Sequence, residues 1–201
     1  MTSAGQDMEQ KQRVAEKSPQ AAPRPGGRAA RIQAAVFQAV DELKQAGEEL
    51  TVPAIATRAG VTPSTIYRRW GTLAELLSDV AVRHLRPDGE PPDSGDWRAD
   101  LIGWLEQYAE EMASAPGRAM IRDVLGADRT DNACVCSGYT SQQLDLIRQR
   151  ALARGDAPPD TAVLMDRVIA PVIYRILFGR ETPDGDYVAG LVAEVLGESE
   201  G

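Results

Sequence analysis

The chain has few of the residues on which catalysis and metal binding most often depend. Its 201 residues include one histidine and two cysteines, and aromatic residues make up 5% of the sequence. It contains no glycine-rich phosphate loop, no nucleophile with a suitable histidine partner and no cluster of metal ligands. We therefore expect no enzymatic activity, no metal and no cofactor.

Long apolar runs and strand-like patterns are also missing. No apolar stretch approaches the roughly 18 residues that a membrane-spanning helix needs. The N-terminus, MTSAGQDMEQKQRVAEKSPQ, has no apolar segment of the signal-peptide type. No stretch shows the alternation of apolar and polar residues that predicts a half-buried strand. These absences favour an all-helical protein that stays in the cytoplasm.

Positive charge is scarce overall but unevenly distributed. The chain has 22 Lys and Arg against 30 Asp and Glu, for a net charge of −8. Residues 1–86 contain 12 basic and 9 acidic residues and carry +3, whereas residues 87–201 contain 10 and 21 and carry −11. This asymmetry favours a nucleic-acid face in the first part of the chain, with an acidic body held away from the phosphates.

The stretch TVPAIATRAGVTPSTIYRRWGTLAELL, residues 51–77, has the residue pattern of a helix-turn-helix. Thr51 can cap the first helix, and Gly60 permits the left-handed backbone that ends it. Thr62 and Thr72 occupy the cap positions of the next two helices. The segment therefore predicts two short helices joined by a tight turn and followed by a third helix.

The second helix of this segment combines two buried positions with a polar exterior. Ile66 and Trp70, four residues apart, share one face and are expected to point inward. The residues left outside carry hydroxyl and guanidinium groups, which suit phosphates and base edges. A helical hairpin with a merely structural role is the alternative interpretation. The predicted outer set is Thr62, Pro63, Ser64, Thr65, Tyr67, Arg68 and Arg69.

These residues resemble the DNA-binding domain of the TetR family of bacterial one-component regulators. The positions that carry the resemblance are Thr51, Ile55-Ala56, Ala59-Gly60-Val61-Thr62, Thr65-Ile66-Tyr67, Trp70 and Leu76-Leu77. The resemblance covers residues 24–86 and implies an all-α protein of about nine helices. Its expected parts are a disordered arm (1–27), the helix-turn-helix domain (28–86) and a larger ligand-binding and dimerisation domain (87–201).

The resemblance implies a homodimeric repressor that binds palindromic double-stranded operator DNA and is released by a small apolar ligand. Thr51, Tyr67 and Thr72 are then expected at phosphates. Base edges are expected near Thr62, Ser64, Thr65 and Arg68, with Arg68 as the reader of guanine. Two alternatives remain open: an activator of the same family, and a small-molecule-binding helical protein or enzyme whose helix-turn-helix is only structural.

A Pro- and Gly-rich segment, RPDGEPPDSGD (86–96), predicts the boundary between the two domains. Beyond it, Asp96 is expected to cap a long helix that stops at Pro116-Gly117. Further helices are predicted over 117–125, 139–153, from Pro158-Pro159 to about 179 with a kink at Pro171, and over 184–196. The intervening GADRTDNACVCSG (126–138) is expected to be a loop, which holds the cysteine pair Cys134 and Cys136. We interpret these two residues as reduced thiols, with a metal-sensing or redox pair as the alternative.

Two apolar sets in the second domain are assigned roles mainly through the family resemblance. The first is a ligand pocket, whose alternative is plain core packing. The second is a self-association face on the last two helices, whose alternative is again the core of a single chain. The pocket set is Trp104, Tyr108, Met112, Met120, Val124 and Met165. The interface set is Val172, Leu177, Phe178, Val188, Leu191, Val192 and Val195.

Overall fold

The computed structural model of the chain describes residues 27–128, 131–179 and 181–197. Every regular element in these ranges is a helix, so the predicted all-α class is confirmed. The helices are α1 Arg28–Ala46, α2 Val52–Ala59, α3 Pro63–Trp70, α4 Leu73–Leu85, α5 Trp97–Ala113, α6 Ala115–Leu125, α7 Asp131–Arg154, α8 Thr161–Leu164, α9 Ala170–Phe178 and α10 Gly185–Leu196. Of the predicted arm (1–27), only Gly27 lies among the described residues.

The helices enclose two apolar cores. The first lies among α1–α4, where residues such as Val40, Ile55 and Leu76 are fully buried. The second lies among α5 and α7–α10, where Leu105 and Leu144 are 1% and 0% exposed. Since α4 contributes to the first core and its last residue, Leu85, packs against the second, this helix belongs to both.

Most of the predicted helix caps are present. The Thr51 hydroxyl accepts a hydrogen bond from the Ala54 N–H at 3.3 Å, and the Thr72 hydroxyl accepts one from the Glu75 N–H at 3.2 Å. Gly60 ends α2 with φ +66°, a left-handed conformation in which a side chain would be strained. These contacts fix the entry angles of α2 and α4, the two helices that flank α3.

One predicted loop is wrong. Residues 126–138 were expected to be irregular, but α7 begins at Asp131 and takes in Cys134 and Cys136. Cys, Ser and Gly are poor helix formers, so propensity favours a loop here. Tertiary contacts override it: the Asn132 amide bonds to α4, and Thr140, further along α7, is buried.

The predicted role of Pro116 is also wrong. Pro116 does not stop α5, which ends at Ala113; instead it lies in the first turn of α6, where a missing N–H costs little. Gly117 is required there, because a Cβ atom would lie 2.1 Å from the Glu111 carbonyl oxygen. Near Pro171 the helix does not break: α8 continues through a π-helical turn, Met165–Ile169, into α9. If α8, this turn and α9 count as one helix, the described ranges contain nine.

The two cores are joined by polar contacts as well as by α4. Lys44 on α1 pairs with Asp123 on α6 at 2.8 Å. Asn132 on α7 donates to the Ser78 hydroxyl and to the Asp79 carboxylate on α4, both at 2.9 Å. In the described ranges, none of the helices combines the length and apolarity that a membrane span requires.

Candidate nucleic-acid interface and cavity

In α3, the predicted recognition helix, the buried and exposed side chains are those that the sequence predicted. Ile66 is 1% and Trp70 8% exposed, so both point into the first core. Tyr67 is 52% exposed, and Arg68 on the next position is also exposed. The indole ring of Trp70 packs beside Phe37 of α1, with ring centroids 6.1 Å apart. Two buried side chains thus hold the polar face of an eight-residue helix toward solvent.

The hydroxyls at the start of α3 form a cluster. The Thr62 Oγ1 atom lies 2.9 Å from Ser64 Oγ and 3.0 Å from Thr65 Oγ1. Thr62 occupies the predicted N-cap position, but its side chain accepts no hydrogen bond from the helix backbone. The cluster lies at the positive end of the helix dipole, beside backbone N–H groups that need acceptors. Such a surface suits the oxygen atoms of a phosphate or a base edge.

Thr51 and Thr72, the predicted phosphate contacts, lie at the starts of α2 and α4. Both hydroxyls accept a backbone N–H within their own cap, and each still has its O–H to donate. Thr72 is exposed and Thr51 half-buried. Pro63, the first residue of α3, is exposed and has no N–H to offer.

Arg69 differs from its neighbour Arg68 in its surroundings. Its Nη1 donates to the Ala29 carbonyl oxygen and its Nη2 to Gln33 Oε1, each at 2.8 Å. Its guanidinium also lies 5.2 Å from the centre of the Trp70 ring. Arg69 therefore ties α3 to the start of α1, whereas its predicted contact with DNA stays a prediction. No hydrogen bond or ion pair of Arg68 occurs within the described part of the chain.

A cavity of about 1000 Å³ lies beside α5, α6, α7 and the π-helical turn. Its wall is mostly apolar, with a polar minority that includes Thr140, Gln143 and the charged residues Glu111 and Asp166. The rings of Trp104 and Tyr108 stack within it, 5.3 Å apart and inclined by 19°. The structure brings all six residues of the predicted pocket onto this one wall: Trp104, Tyr108, Met112, Met120, Val124 and Met165.

Two titratable groups in the cavity wall are shifted toward their neutral forms. Burial raises the pKa of the Tyr108 phenol, while a hydrogen bond with Thr140 acts in the opposite direction. Burial likewise raises the pKa of the Cys136 thiol. Tyr108 and Cys136 are therefore uncharged near neutral pH, which suits an apolar occupant.

The segment between α4 and α5 closes one side of the cavity. Gln143 on α7 donates to the Gly89 carbonyl oxygen at 3.2 Å, and Arg150 donates to that of Pro91 at 2.8 Å. Arg154 pairs with Asp93 at 2.7 Å and lowers the pKa of that carboxyl group. These bonds hold the predicted domain boundary against the body of the second domain.

The predicted interface residues separate into two groups. Val172, Val188 and Val192 are 1%, 0% and 1% exposed, because they fill the core of their own chain. Assigning them to a face between two chains was wrong. Leu177, Leu191 and Val195 are half-buried, and Phe178 is 72% exposed. Tyr174, which the sequence interpretation missed, is 66% exposed and lies 5.2 Å from the Phe178 ring.

The two cysteines and the histidine differ in their surroundings. Cys134 is exposed and Cys136 half-buried, and two residues of helix separate their directions by roughly 200°. The His84 ring nitrogen Nε2 lies 2.9 Å from Asp41 Oδ1 of α1. In the parts of the chain that the structure describes, no group of three or more His, Cys, Asp or Glu could hold a metal ion.

Comparison with known proteins decides the family. Residues 38–80 match the bacterial regulatory proteins of the tetR family, and residues 91–195 match the tetracyclin repressor-like C-terminal domain. The chain belongs to the TetR family. It is a DNA-binding transcription regulator with an N-terminal helix-turn-helix domain and a C-terminal domain, as the sequence predicted.

Relatives and solved structures agree with this assignment of a TetR-family regulator. The chain is 28% identical over 156 residues to the HTH-type transcriptional regulator Rv1556 of Mycobacterium tuberculosis, covering 74% of this chain and 77% of the relative. It is 26% identical over 159 residues to the DNA-binding transcriptional repressor TetR of Mycobacteroides abscessus, covering 74% of this chain and 82% of that relative. The crystal structure of the TetR family transcription regulator SCO0332 superposes with a TM-score of 0.62 and 26% identity, covering 85% of this chain and all of that one.

The TetR-family chain also has polar contacts that no sequence motif indicated. The Trp70 indole N–H donates to Asp79 Oδ2 at 2.9 Å, and the Asn132 amide donates to Asp79 Oδ1 at the same distance. Asp79 lies in the middle of α4, where its spacing suggests only a solvated helix position. Asn132 lay in the segment predicted to be a loop. Only the packing of α7 on α4 brings the three side chains together.

Proposed function

We propose that this TetR-family regulator is a homodimeric repressor whose α3 helix enters the major groove of a palindromic operator. The observation that carries the proposal is the outward polar face of α3, held in place by the buried Ile66 and Trp70. Arg68 reads a base, and guanine is the base that a guanidinium recognises best. The hydroxyls of Thr62, Ser64 and Thr65 contact bases or phosphates at the start of the helix. Thr51, Tyr67 and Thr72 donate to phosphates on either side.

We assign residues 28–86 to the DNA-binding domain and 87–201 to the domain for ligand binding and dimerisation. The two apolar cores support this division, and α4 is the helix that both share. Arg69 does not belong to the DNA contacts in this proposal; it holds α1 against α3.

Dimerisation uses the outer face of α9 and the adjoining edge of α10. Tyr174 and Phe178 support this assignment, since they present two large aromatic rings to solvent on one side of α9. Leu177, Leu191 and Val195 border them. One α3 helix contacts only a few base pairs, so two linked copies are needed to read an operator with useful specificity.

The cavity takes a small apolar ligand with at least one planar ring. The stacked Trp104 and Tyr108 rings and the three methionines favour such an occupant. The occupant favours a dimer in which the distance between the two α3 helices does not match the two halves of the operator. Binding of the occupant therefore lowers DNA affinity. Release from the operator then relieves repression.

DNA binding is tested by fluorescence anisotropy with the DNA upstream of the chain's own gene. We expect tight binding to this duplex, weaker binding to a shuffled duplex of equal composition, and a steep loss of affinity between about 50 and 200 mM salt. A promoter fusion then gives the sign: loss of the gene raises expression if the protein is a repressor and lowers it if it is an activator. Equal, salt-independent affinity for both duplexes would leave the helix-turn-helix a structural feature only.

The cavity is tested with anilinonaphthalene sulfonate, a dye that fluoresces in apolar surroundings. Met165→Trp places a large ring in the cavity, whereas Val163→Trp adds the same ring at a position that is 38% exposed. We expect Met165→Trp to lower the dye signal and Val163→Trp to leave it unchanged. An equal signal in both variants would show that the dye does not enter the cavity and would count against an apolar site there.

A further inference from the structure

A chain of three hydrogen-bonded side chains connects the cavity wall to the recognition helix. Trp70, the last residue of α3, donates its indole N–H to Asp79 Oδ2 at 2.9 Å. The other carboxylate oxygen of Asp79 accepts from the Asn132 amide, also at 2.9 Å. The Asp79 carboxylate thus bonds at the same time to a residue of the DNA-reading helix and to a residue of the second domain.

The far end of this chain lies beside the cavity. Asn132 is in the first turn of α7, and the next residue, Ala133, lines the cavity. Cys136, one helical turn further along, lines it as well. Because α7 is a rigid helix over this length, an occupant that displaces Cys136 also displaces Asn132.

The near end of the chain controls the angle of α3. Trp70 is 8% exposed and packs beside Phe37 of α1 on one side, while Asp79 of α4 holds its indole N–H on another. A buried indole N–H that loses its acceptor carries a desolvation penalty, so Trp70 follows Asp79 rather than staying behind. A change in the position of Trp70 turns the end of α3, and with it Arg68.

We infer that Asp79 and Asn132 are positioning residues which transmit the state of the cavity to the recognition helix through Trp70. This inference rests on the proposed function, since it supplies the route by which a ligand releases DNA. The route runs along the first turn of α7 and then passes through side chains to α3. Lys44–Asp123, a further polar contact between the two domains among the described residues, ends on α1 and does not reach α3.

The first test measures DNA affinity in variants without any ligand. Asp79→Asn leaves one carbonyl acceptor for two donors, and Asn132→Ala removes the link to α7. We expect each single variant to change the affinity for the upstream duplex by about 10-fold. The double variant should change it no further, because one broken hydrogen bond already interrupts the connection. Ser78→Ala is the matched control, since it removes only the second acceptor of the Asn132 amide. Additive effects of the two variants would overturn the inference.

The second test fills the cavity covalently through Cys136. In a Cys134→Ser background, the Cys136 thiolate attacks benzyl methanethiosulfonate, forms a mixed disulfide and releases methanesulfinate; dithiothreitol reverses the reaction. We expect labelling to lower DNA affinity by about 10-fold in this background and by less than about 2-fold when Asn132→Ala is added. Asp123→Asn, which breaks the contact outside the proposed route, should leave the response to labelling intact. A loss of affinity that is the same with and without Asn132 would overturn the inference.

A third readout separates this inference from the proposed function. Protein made with 5-fluorotryptophan gives fluorine resonances from its three tryptophans, and Trp70→Phe identifies the one from Trp70. Labelling of Cys136 should shift the Trp70 resonance, and Asn132→Ala should abolish that shift. If the unlabelled protein binds no operator but this shift is seen, the proposed function fails and the connection stands. If operator binding is normal and the Trp70 resonance does not respond, the connection fails and the repressor remains.

Discussion

Arg69 donates from Nη2 to Gln33 Oε1 at 2.8 Å, and this bond gives it surroundings that differ from those of the preceding Arg68. A second bond to the Ala29 carbonyl oxygen completes the attachment of Arg69 to α1. Arg68, one residue earlier, is exposed and makes no such contact within the described part of the chain. Sequence alone gives both residues the same chemistry, so only the fold distinguishes a structural guanidinium from one that faces outward.

Arg68→Ala should weaken binding to the operator and reduce discrimination between bases. We expect a loss of about 1–3 kcal/mol for each base pair that Arg68 reads, and a dimer loses the contact twice. Affinity for a shuffled duplex should fall much less. Anisotropy titrations against the upstream duplex and single-base variants of it measure both quantities.

Arg69→Ala is the matched comparison for Arg68→Ala, since it removes the same charge one residue later. We expect it to lower the free energy of unfolding by about 1 kcal/mol, because its bonds lie in solvent and are partly screened. Its effect on DNA affinity should be equal for operator and shuffled duplexes. If Arg69→Ala relaxes base discrimination as strongly as Arg68→Ala does, the division of roles is wrong.

Phe178→Glu should separate the proposed dimer into monomers. The side chain is 72% exposed in the single chain, so a carboxylate there costs the folded monomer little but opposes burial between two copies. Light scattering should give the molar mass of one chain for the variant and of two chains for the parent. The circular dichroism spectrum should be unchanged. Operator affinity should fall about 100-fold or more, because a single α3 helix reads only half of the site.

The control for this variant is Leu152→Glu, which adds the same charge to a leucine on α7 that is 46% exposed. It should remain dimeric and bind DNA like the parent. A Phe178→Glu protein that stays dimeric would place the interface elsewhere than on the outer face of α9.

The sequence predicted the DNA-binding half well because local chemistry determines it. Caps at Thr51 and Thr72, the left-handed Gly60 and the spacing of Ile66 and Trp70 all act within a few residues of one another. The three pocket residues on α5 recur every four positions, so they reach the same cavity wall, but their assignment to a ligand came mainly from the family resemblance.

The second half was harder to predict because packing between distant segments decides it. An apolar helical stripe has the same period whether it faces its own core or a second chain, so Val172 was assigned to the wrong surface. The start of α7 was missed because its weak helix formers are stabilised by Asn132 and Thr140 against other helices. The pairing of Trp70 with Asp79 and Asn132 joins residues up to 62 positions apart in the sequence and leaves no local pattern.

The two cysteines should differ in reactivity and should not form a disulfide with each other. Cys134 is exposed, whereas burial raises the pKa of Cys136 and lowers its thiolate fraction near neutral pH. We expect iodoacetamide to modify Cys134 first, as measured by peptide mass spectrometry. Both should react alike in urea, which removes the burial. Rapid formation of a Cys134–Cys136 disulfide under mild oxidation would contradict the helical placement of the pair.

Stability should fall in alkaline solution in part because of Tyr108. Burial raises the pKa of this phenol above its unfolded value of about 10. The folded state then keeps a proton that the unfolded state releases, so the stabilisation is complete below about pH 10 and is lost as the pH rises through the folded pKa. Urea titrations between about pH 9 and 11 should therefore show a smaller decline in the free energy of unfolding for Tyr108→Phe than for the parent.

Tyr174→Phe, in which the ring is 66% exposed, is the control, and its free energy of unfolding should decline as that of the parent does. An identical decline in all three proteins would mean that Tyr108 ionises without leaving the cavity wall, and the apolar character assigned to that wall would then be wrong.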